Sequence, residues 1–337
     1  MWPLASIDGA FCARRCLLPL AVAVGVSCCS CTDLRLRPYR SEDTLNEYHY
    51  ALGERYVDVD GIKLCYQDFG HGDTVLILPG LGTSIDFWQL IIPKLAEHFR
   101  VVAVDLPGFG KSEKPDASYD LRWIDSKILA FMDACGIDRA NVIGGSMGGH
   151  LGLLLALEHS QRVEKLVMMG STGDWQAPGP LLDFGIRNLW NEHLITDYLR
   201  GHWPELFPLM ISHPSEMTDR LFHYQMALRA DFCCYWPEGR ASARALRSIF
   251  LSSCRDRFGD LQVPLLLLWG EGDRIHTPRH AQFIHESVSD SQLVVVPDSS
   301  HEVMIDQPEQ FDNAVISFFK TTSRGESKLA MYQDACP

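Results

Sequence analysis

Asn141-Val142-Ile143-Gly144-Gly145-Ser146-Met147-Gly148-Gly149-His150 runs from a strand-like apolar triplet through a G-x-S-x-G turn into a helical pattern. A serine on a sharp strand-to-helix turn needs small residues two positions to either side, so that the turn closes and the hydroxyl protrudes. Gly144 and Gly148 meet that need. The helix that follows aims free N–H groups and positive potential at an oxygen that gains charge during acyl transfer. Ser146 is therefore the candidate nucleophile.

Outward from this turn, strand-like and helix-like segments alternate. Apolar or alternating runs predict strands at residues 56–59, 62–66, 75–78, 101–104, 141–143, 166–169, 265–269 and 293–296. Several are continuously apolar, as expected of parallel strands buried on both faces. Amphipathic patterns predict helices at 87–99, 121–135, 147–159, 278–287 and 308–320. A short antiparallel entry followed by β-α units gives the fold class α/β, a mostly parallel, doubly wound sheet. Residues 175–257 break the alternation: they offer no strand but are rich in large apolar side chains. That interval reads as an inserted helical cap over the carboxyl edge of the sheet, where open α/β sheets bind ligands. The core is then 55–174 and 258–322, with a flexible tail at 323–337.

Serine is a weak nucleophile near neutral pH and needs a base held in one tautomer by a carboxylate. Leu266 to Ile275 is a strand ending in a Gly-rich turn that offers Asp273, and Val296 to His301 is the next strand and loop, offering His301. Asp174 and Glu271 are the alternative acids. The chain has 13 histidines, and most others, including His159 and His223, read as solvated or packed. An oxyanion hole needs two N–H donors aimed at one point. Met147 offers one and Leu81, in the loop Pro79-Gly80-Leu81-Gly82-Thr83-Ser84, the other, with the Leu81 side chain facing the pocket. Trp190, Trp203 and Trp236 are cap residues placed to contact substrate. Phosphate motifs fail on spacing: the P-loop glycine five residues before Gly110 is Asp105, and the third glycine of a dinucleotide fingerprint after Gly80 and Gly82 is Ile85. No cofactor is expected.

With these marks in order, residues 55–320 resemble the α/β-hydrolase superfamily: P-G-L-G at 79–82, Asp105 to Ser112, Gly144 to Gly149, the turn from Trp269 to Asp273, and the His301 loop. Within it the chain is most similar to capped serine esterases and monoacylglycerol-lipase-like enzymes, and also to hydrolases that cut carbon-carbon bonds. Pro79 departs from the pattern, since many members carry His there. Haloalkane dehalogenases and epoxide hydrolases are similar too, but use an aspartate nucleophile, and Ser146 speaks against both. The resemblance implies hydrolysis of carboxylic esters with an apolar acyl or alcohol group through an acyl-enzyme on Ser146. Carbon-carbon hydrolase, lactonase or acyltransferase activity on the same triad, or ligand binding with a slow triad, are the other readings.

Over 337 residues the net charge is -13 and 46% of residues are apolar, which fits a globular chain and leaves no cationic stripe for nucleic acid. The expected partner is a small-molecule ester. Residues 1–31 differ from the rest: Arg14-Arg15, an apolar run from Leu17 to Val26 too short to span a bilayer, then Ser27-Cys28-Cys29-Ser30-Cys31. This reads as a signal peptide or lipoprotein-type leader with Cys28 as the lipidation candidate, and a polar linker at 32–54. Export or membrane association through the N-terminus is expected; a soluble cytoplasmic enzyme is the alternative. The 11 cysteines show no pair of metal-spaced C-x-x-C units, so no zinc or other metal is indicated. A disulfide among Cys233, Cys234 and Cys254 is open if the protein is exported.

Overall fold

The computed structural model describes residues 53–175, 179–215, 218–219 and 232–321. The leader with Cys28, nearly all of the linker, and the tail lie outside the described residues. Among the described residues no helix is long and apolar enough to cross a membrane.

Eight strands form one sheet: β1 (Arg55–Val59), β2 (Ile62–Phe69), β3 (Thr74–Leu78), β4 (Arg100–Val104), β5 (Ala140–Gly145), β6 (Val163–Met169), β7 (Leu265–Gly270) and β8 (Ser291–Val296). Their order is β1-β2-β4-β3-β5-β6-β7-β8. β2 pairs antiparallel with β1 and β4, and every later pairing is parallel. The helices are α1 (Ile92–Ala96), α2 (Leu121–Ala134), α3 (Met147–Glu158), α4 (Pro180–Asn188), α5 (Glu192–Met210), α6 (Phe232–Leu251), α7 (Pro278–Ser287), α8 (Val303–Asp306) and α9 (Pro308–Lys320). β3 lies between β4 and β5, so the chain changes direction across the sheet there and opens a crevice at the carboxyl ends of β3 and β5.

Alternate residues of the central strands serve two cores. Leu76, Leu78, Val102 and Val104 pack with Ile128 and Phe131 of α2 and Leu151 and Leu155 of α3. Val75, Ile77, Val101 and Ala103 pack on the other face with Leu95 of α1 and Phe311 and Val315 of α9. Side chains of this size contribute about 1.5–3 kcal/mol each when fully buried. Burial on both faces is what makes β3 to β7 read as apolar runs.

Between β6 and β7 the described chain is helical: α4, α5 and α6, followed by a 3-10 turn at Arg255–Asp260. Phe207 and Met210 of α5 join one core, and Ala241, Ala245 and Ile249 of α6 join the other. Leu181, Phe184, Leu189 and Leu194 instead face solvent, at 48–74% exposure.

One expectation needs correction. The single helix at 87–99 is a 3-10 turn at Ile85–Trp88 followed by α1, because Pro93 lacks an N–H and is accommodated only in the first turn of a helix. Among the described residues Cys254 is a free, buried thiol 3.6 Å from His150 Nε2; the side chains of Cys233 and Cys234 lie outside the described residues.

Candidate active site

Ser146 sits between β5 and α3 at φ 51, ψ -115, a conformation that costs a non-glycine residue energy and survives only where packing imposes it. The packing is visible at its neighbours. A Cβ on Gly148 would lie 1.9 Å from the Leu78 carbonyl oxygen, and one on Gly144 would lie 2.3 Å from the Gly148 backbone. The start of α3 is thus pressed onto the ends of β3 and β5, and the G-x-S-x-G spacing follows from that approach. Ser146 N–H donates to Met169 O at 2.8 Å, which fixes the serine to the end of β6.

The residue after Met169 carries the geometry on to His301: a Cβ on Gly170 would stand 2.9 Å from His301 Nδ1. The imidazole therefore packs on the same stretch of backbone that anchors Ser146. His301 is 2% exposed and Asp273 3%. Asp273 Oδ2 meets His301 Nδ1 at 2.9 Å, while Oδ1 accepts the N–H groups of Ile275 and His276 at 2.8 and 2.9 Å. Burial alone would raise the Asp273 carboxyl, but the adjacent His301 outweighs it and holds the group below its ordinary value. Burial likewise pulls His301 down, and the Asp273 charge and hydrogen bond more than offset that, leaving the imidazole above its ordinary value. An ionised acid thus holds the Nδ1 proton of the imidazole. The alternative acids are placed elsewhere: Asp174 Oδ2 pairs with His280 Nδ1 at 2.7 Å, and Glu271 is exposed on the turn.

The two loops that carry the pair are joined along their length. Glu271 N–H donates to Val296 O and Gly272 N–H to Ser299 O, and a Cβ on Gly270 would lie 2.0 Å from Ser300 O. Asp306, 8% exposed, accepts from the N–H groups of Ser212, His213 and Ser300 at 2.8–2.9 Å. Ser300 Oγ donates to Leu209 O, and Glu302 N–H to Met210 O. The His301 loop is therefore bonded to the end of α5.

Of the proposed oxyanion donors, Met147 follows the serine and Leu81 lies in the loop whose Gly80 approaches it. Met147 is the first residue of α3, a position whose N–H has no intrahelical acceptor. Gly80, just before Leu81, approaches closely: a Cβ there would lie 3.3 Å from Ser146 Cβ. Thr83 N–H and Oγ donate back to Gly80 O, closing the turn that contains Leu81. Asp105 holds this loop from behind, accepting Ile85 N–H and Lys111 N–H at 2.8 Å each. Burial pushes its carboxyl up to about 7.

Two residues near the pair, and a third in the helix that follows Ser146, had no role assigned from the sequence. The ring of His276 lies 5.5 Å from that of His301, edge to face, and burial, with the His301 charge, pulls its pKa down to about 3, so it stays neutral. Glu302, beside His301, is 4% exposed and pushed by burial up to about 7. His150, in the first turn of α3, is fully buried between Thr172 Oγ1 and Ser252 O, with its pKa lowered by burial to about 4. It braces the turn as a neutral ring.

The tryptophans are spread through the cap. Trp190 packs on Phe250 and lines a cavity of about 590 Å³ with Asp120, Arg187, Glu192, Arg244 and Arg247; Ser146, Asp273 and His301 are not among its lining residues. Trp236 stacks on His193 at 4.6 Å, and the side chain of Trp203 lies outside the described residues.

Comparison with known proteins agrees with this architecture. The family profile described as alpha/beta hydrolase fold matches residues 73–208. A 2-hydroxy-6-oxo-6-(2'-aminophenyl)hexa-2,4-dienoic acid hydrolase of Metapseudomonas resinovorans is 27% identical over 289 residues, 83% of this chain and 95% of that protein. The crystal structure of a membrane phospholipase A, described as a bacterial virulence factor, superposes with a TM-score of 0.69 at 25% identity, covering 92% of this chain and 97% of the other. The enol-lactonase of Burkholderia xenovorans LB400 gives a TM-score of 0.64 at 25% identity, covering 79% and 100%. The matching profile and the likeness to these structures over most of its length give this chain the α/β-hydrolase fold, and the relative named above is a hydrolase.

Proposed function

We propose that the chain hydrolyses carboxylic esters with an apolar acyl or alcohol group, through an acyl-enzyme on Ser146. The observation that carries this reading is the strained serine anchored to the backbone step on which the Asp273-paired imidazole packs. With Nδ1–H held by Asp273, Nε2 of His301 is left to take the Ser146 proton as Oγ attacks the ester carbonyl. The resulting oxyanion is received by the N–H groups of Leu81 and Met147. Collapse expels the alcohol, which takes the proton back from His301. Water, deprotonated by the same histidine, then releases the acid and regenerates Ser146.

Two observations favour an amphiphilic ester. The likeness to the membrane phospholipase A extends over 92% of this chain. Leu181, Phe184, Leu189 and Leu194 present apolar side chains outward on the cap, as suits a surface that meets lipid. Attachment through the 1–31 leader, with Cys28 lipidated, would bring that surface to a bilayer. One acyl chain binds membranes only marginally, so stable attachment requires further lipid, at Cys28 or on Cys29 or Cys31. Detergent partitioning of the full chain and of Cys28→Ser, with mass spectrometry of the mature N-terminus, tests this; an unmodified Met1 in the soluble fraction refutes it.

A second reading rests on the Metapseudomonas relative. A 2-hydroxy-6-oxo-dienoate contains no ester, so its hydrolysis breaks a carbon-carbon bond beside the C6 carbonyl, and the same serine chemistry serves. The deciding experiment measures kcat/KM for p-nitrophenyl esters of increasing chain length against a 2-hydroxy-6-oxo-6-phenyl dienoate. Ester hydrolysis that rises about threefold to fourfold per buried methylene, from about 0.8 kcal/mol each, supports the proposal. Turnover of the dienoate alone supports the second reading, and turnover of neither refutes both.

A further inference from the structure

The helix that opens on Ser146 ends at a second cluster of polar side chains. Glu158, the last residue of α3, and His159 after it meet Asp125 of α2, and the donor atoms of the three lie within 4.8 Å of one another. Asp125 is the unusual member. It is 4% exposed, its Oδ1 has no hydrogen-bond partner, and its Oδ2 stands 3.8 Å from His159 Nε2, too far for a hydrogen bond. A buried carboxylate oxygen without a hydrogen-bond partner is costly, so a cation is the natural occupant beside this carboxyl.

We propose that Asp125, Glu158 and His159 bind a divalent transition-metal ion of the zinc type, which ties α2 to the carboxyl end of α3. An imidazole nitrogen with carboxylate oxygens is a zinc donor set, and no cysteine is required. Bonds of about 2.0–2.1 Å at tetrahedral angles set donor atoms roughly 3.4 Å apart, so the 3.8 Å gap between Asp125 and His159 needs to close only slightly. The helix carboxyl end adds negative potential, and the one-third exposed His159 side chain gives the ion a way in. Glu158 now holds Arg122 at 2.6 Å and Arg257 at 3.0 Å. Arg122, whose side chain is 68% exposed, is the arm that yields to the metal, while Arg257 keeps its place on the other oxygen.

The test is titration of the full-length, EDTA-treated protein with zinc chloride, by calorimetry and by Tm, for wild type, His159→Gln and Asp125→Asn, with magnesium chloride in parallel. Wild type should take up one zinc ion that His159→Gln binds at least tenfold more weakly. Its Tm should rise by about 3–5 °C at zinc a hundredfold above Kd. Magnesium, which does not favour imidazole, should leave Tm unchanged. If Asp125→Asn folds poorly, the partly exposed His159 variant decides alone. Equal zinc binding by wild type and His159→Gln, no zinc binding by wild type, or an equal response to magnesium overturns the site. In those cases Asp125 is simply a buried carboxyl with no metal-binding role.

Discussion

Replacing Asp273 by asparagine changes little in shape and reverses the tautomer of His301. One carboxylate oxygen of Asp273 accepts two backbone N–H groups, from Ile275 and His276, and the other faces His301 Nδ1. An asparagine amide has only one acceptor end. Two backbone donors fix that end at the Oδ1 position, because the opposite flip would set an NH2 group against two N–H groups and leave all of them unsatisfied. The NH2 group is thereby turned toward His301 Nδ1, which must accept. The ring proton moves to Nε2, and the atom that should deprotonate Ser146 is no longer a base. By analogy with other serine triads the expected fall in kcat is about 10⁴-fold, roughly 5.4 kcal/mol in barrier. The assay is steady-state hydrolysis of a p-nitrophenyl ester, with Tm and circular dichroism showing that the variant is folded. KM should change by less than about threefold, since the change acts on the chemical step. Asp174→Asn is the control, because Asp174 pairs with His280 and should leave kcat within about threefold. Asp273→Asn within tenfold of wild type, or Asp174→Asn as impaired as Asp273→Asn, would refute the reasoning.

His301 must be neutral to act, and its pKa is held above the ordinary 6.5, so kcat/KM should fall as pH drops through a value above 6.5. In Asp273→Asn this acid limb should move to lower pH; an unmoved limb would mean that another group titrates. His276, pulled down to about 3, should add no limb of its own in that range. Asp306→Ala removes the acceptor of three N–H groups that join the His301 loop to the end of α5, which should cost about 3–5 kcal/mol in denaturant unfolding and lower kcat as well. An unchanged midpoint would contradict the clamp. Leu81→Pro, which deletes the proposed oxyanion N–H, should lower kcat by about 10²–10³-fold, whereas Leu81→Ala, which keeps it, should hydrolyse acetate esters within about fivefold of wild type.

The parts of this molecule that were legible in its sequence are those where one segment carries its own reason. β3 to β7 are apolar because both faces are covered, and Gly144 and Gly148 stand where the elbow packs against Leu78. Asp273 and His301 were found because each follows a recognisable strand. What escaped notice depends on contacts between distant residues. Asp306 bonds residues 93 and 94 positions away, and nothing around it in the chain signals that. Asp105 entered the sequence reading as a missing P-loop glycine and as the start of a family mark, with no supporting role given to it, yet it holds the Leu81 loop through Ile85, 20 residues away. His276 shows no motif and becomes notable only when its ring meets that of His301. Pro93 did carry a local signal, a proline within an amphipathic pattern, and it is where the expected helix breaks.

The most direct test of the central claim is to react the full-length protein with a fluorophosphonate and map the adduct by mass spectrometry. A serine hydrolase built as described should carry one adduct per chain, on Ser146, with ester turnover lost in proportion. Ser146→Ala should be folded, unlabelled and inactive. A folded wild-type protein that hydrolyses esters without becoming labelled at Ser146, or a Ser146→Ala variant that keeps its turnover, would contradict the account.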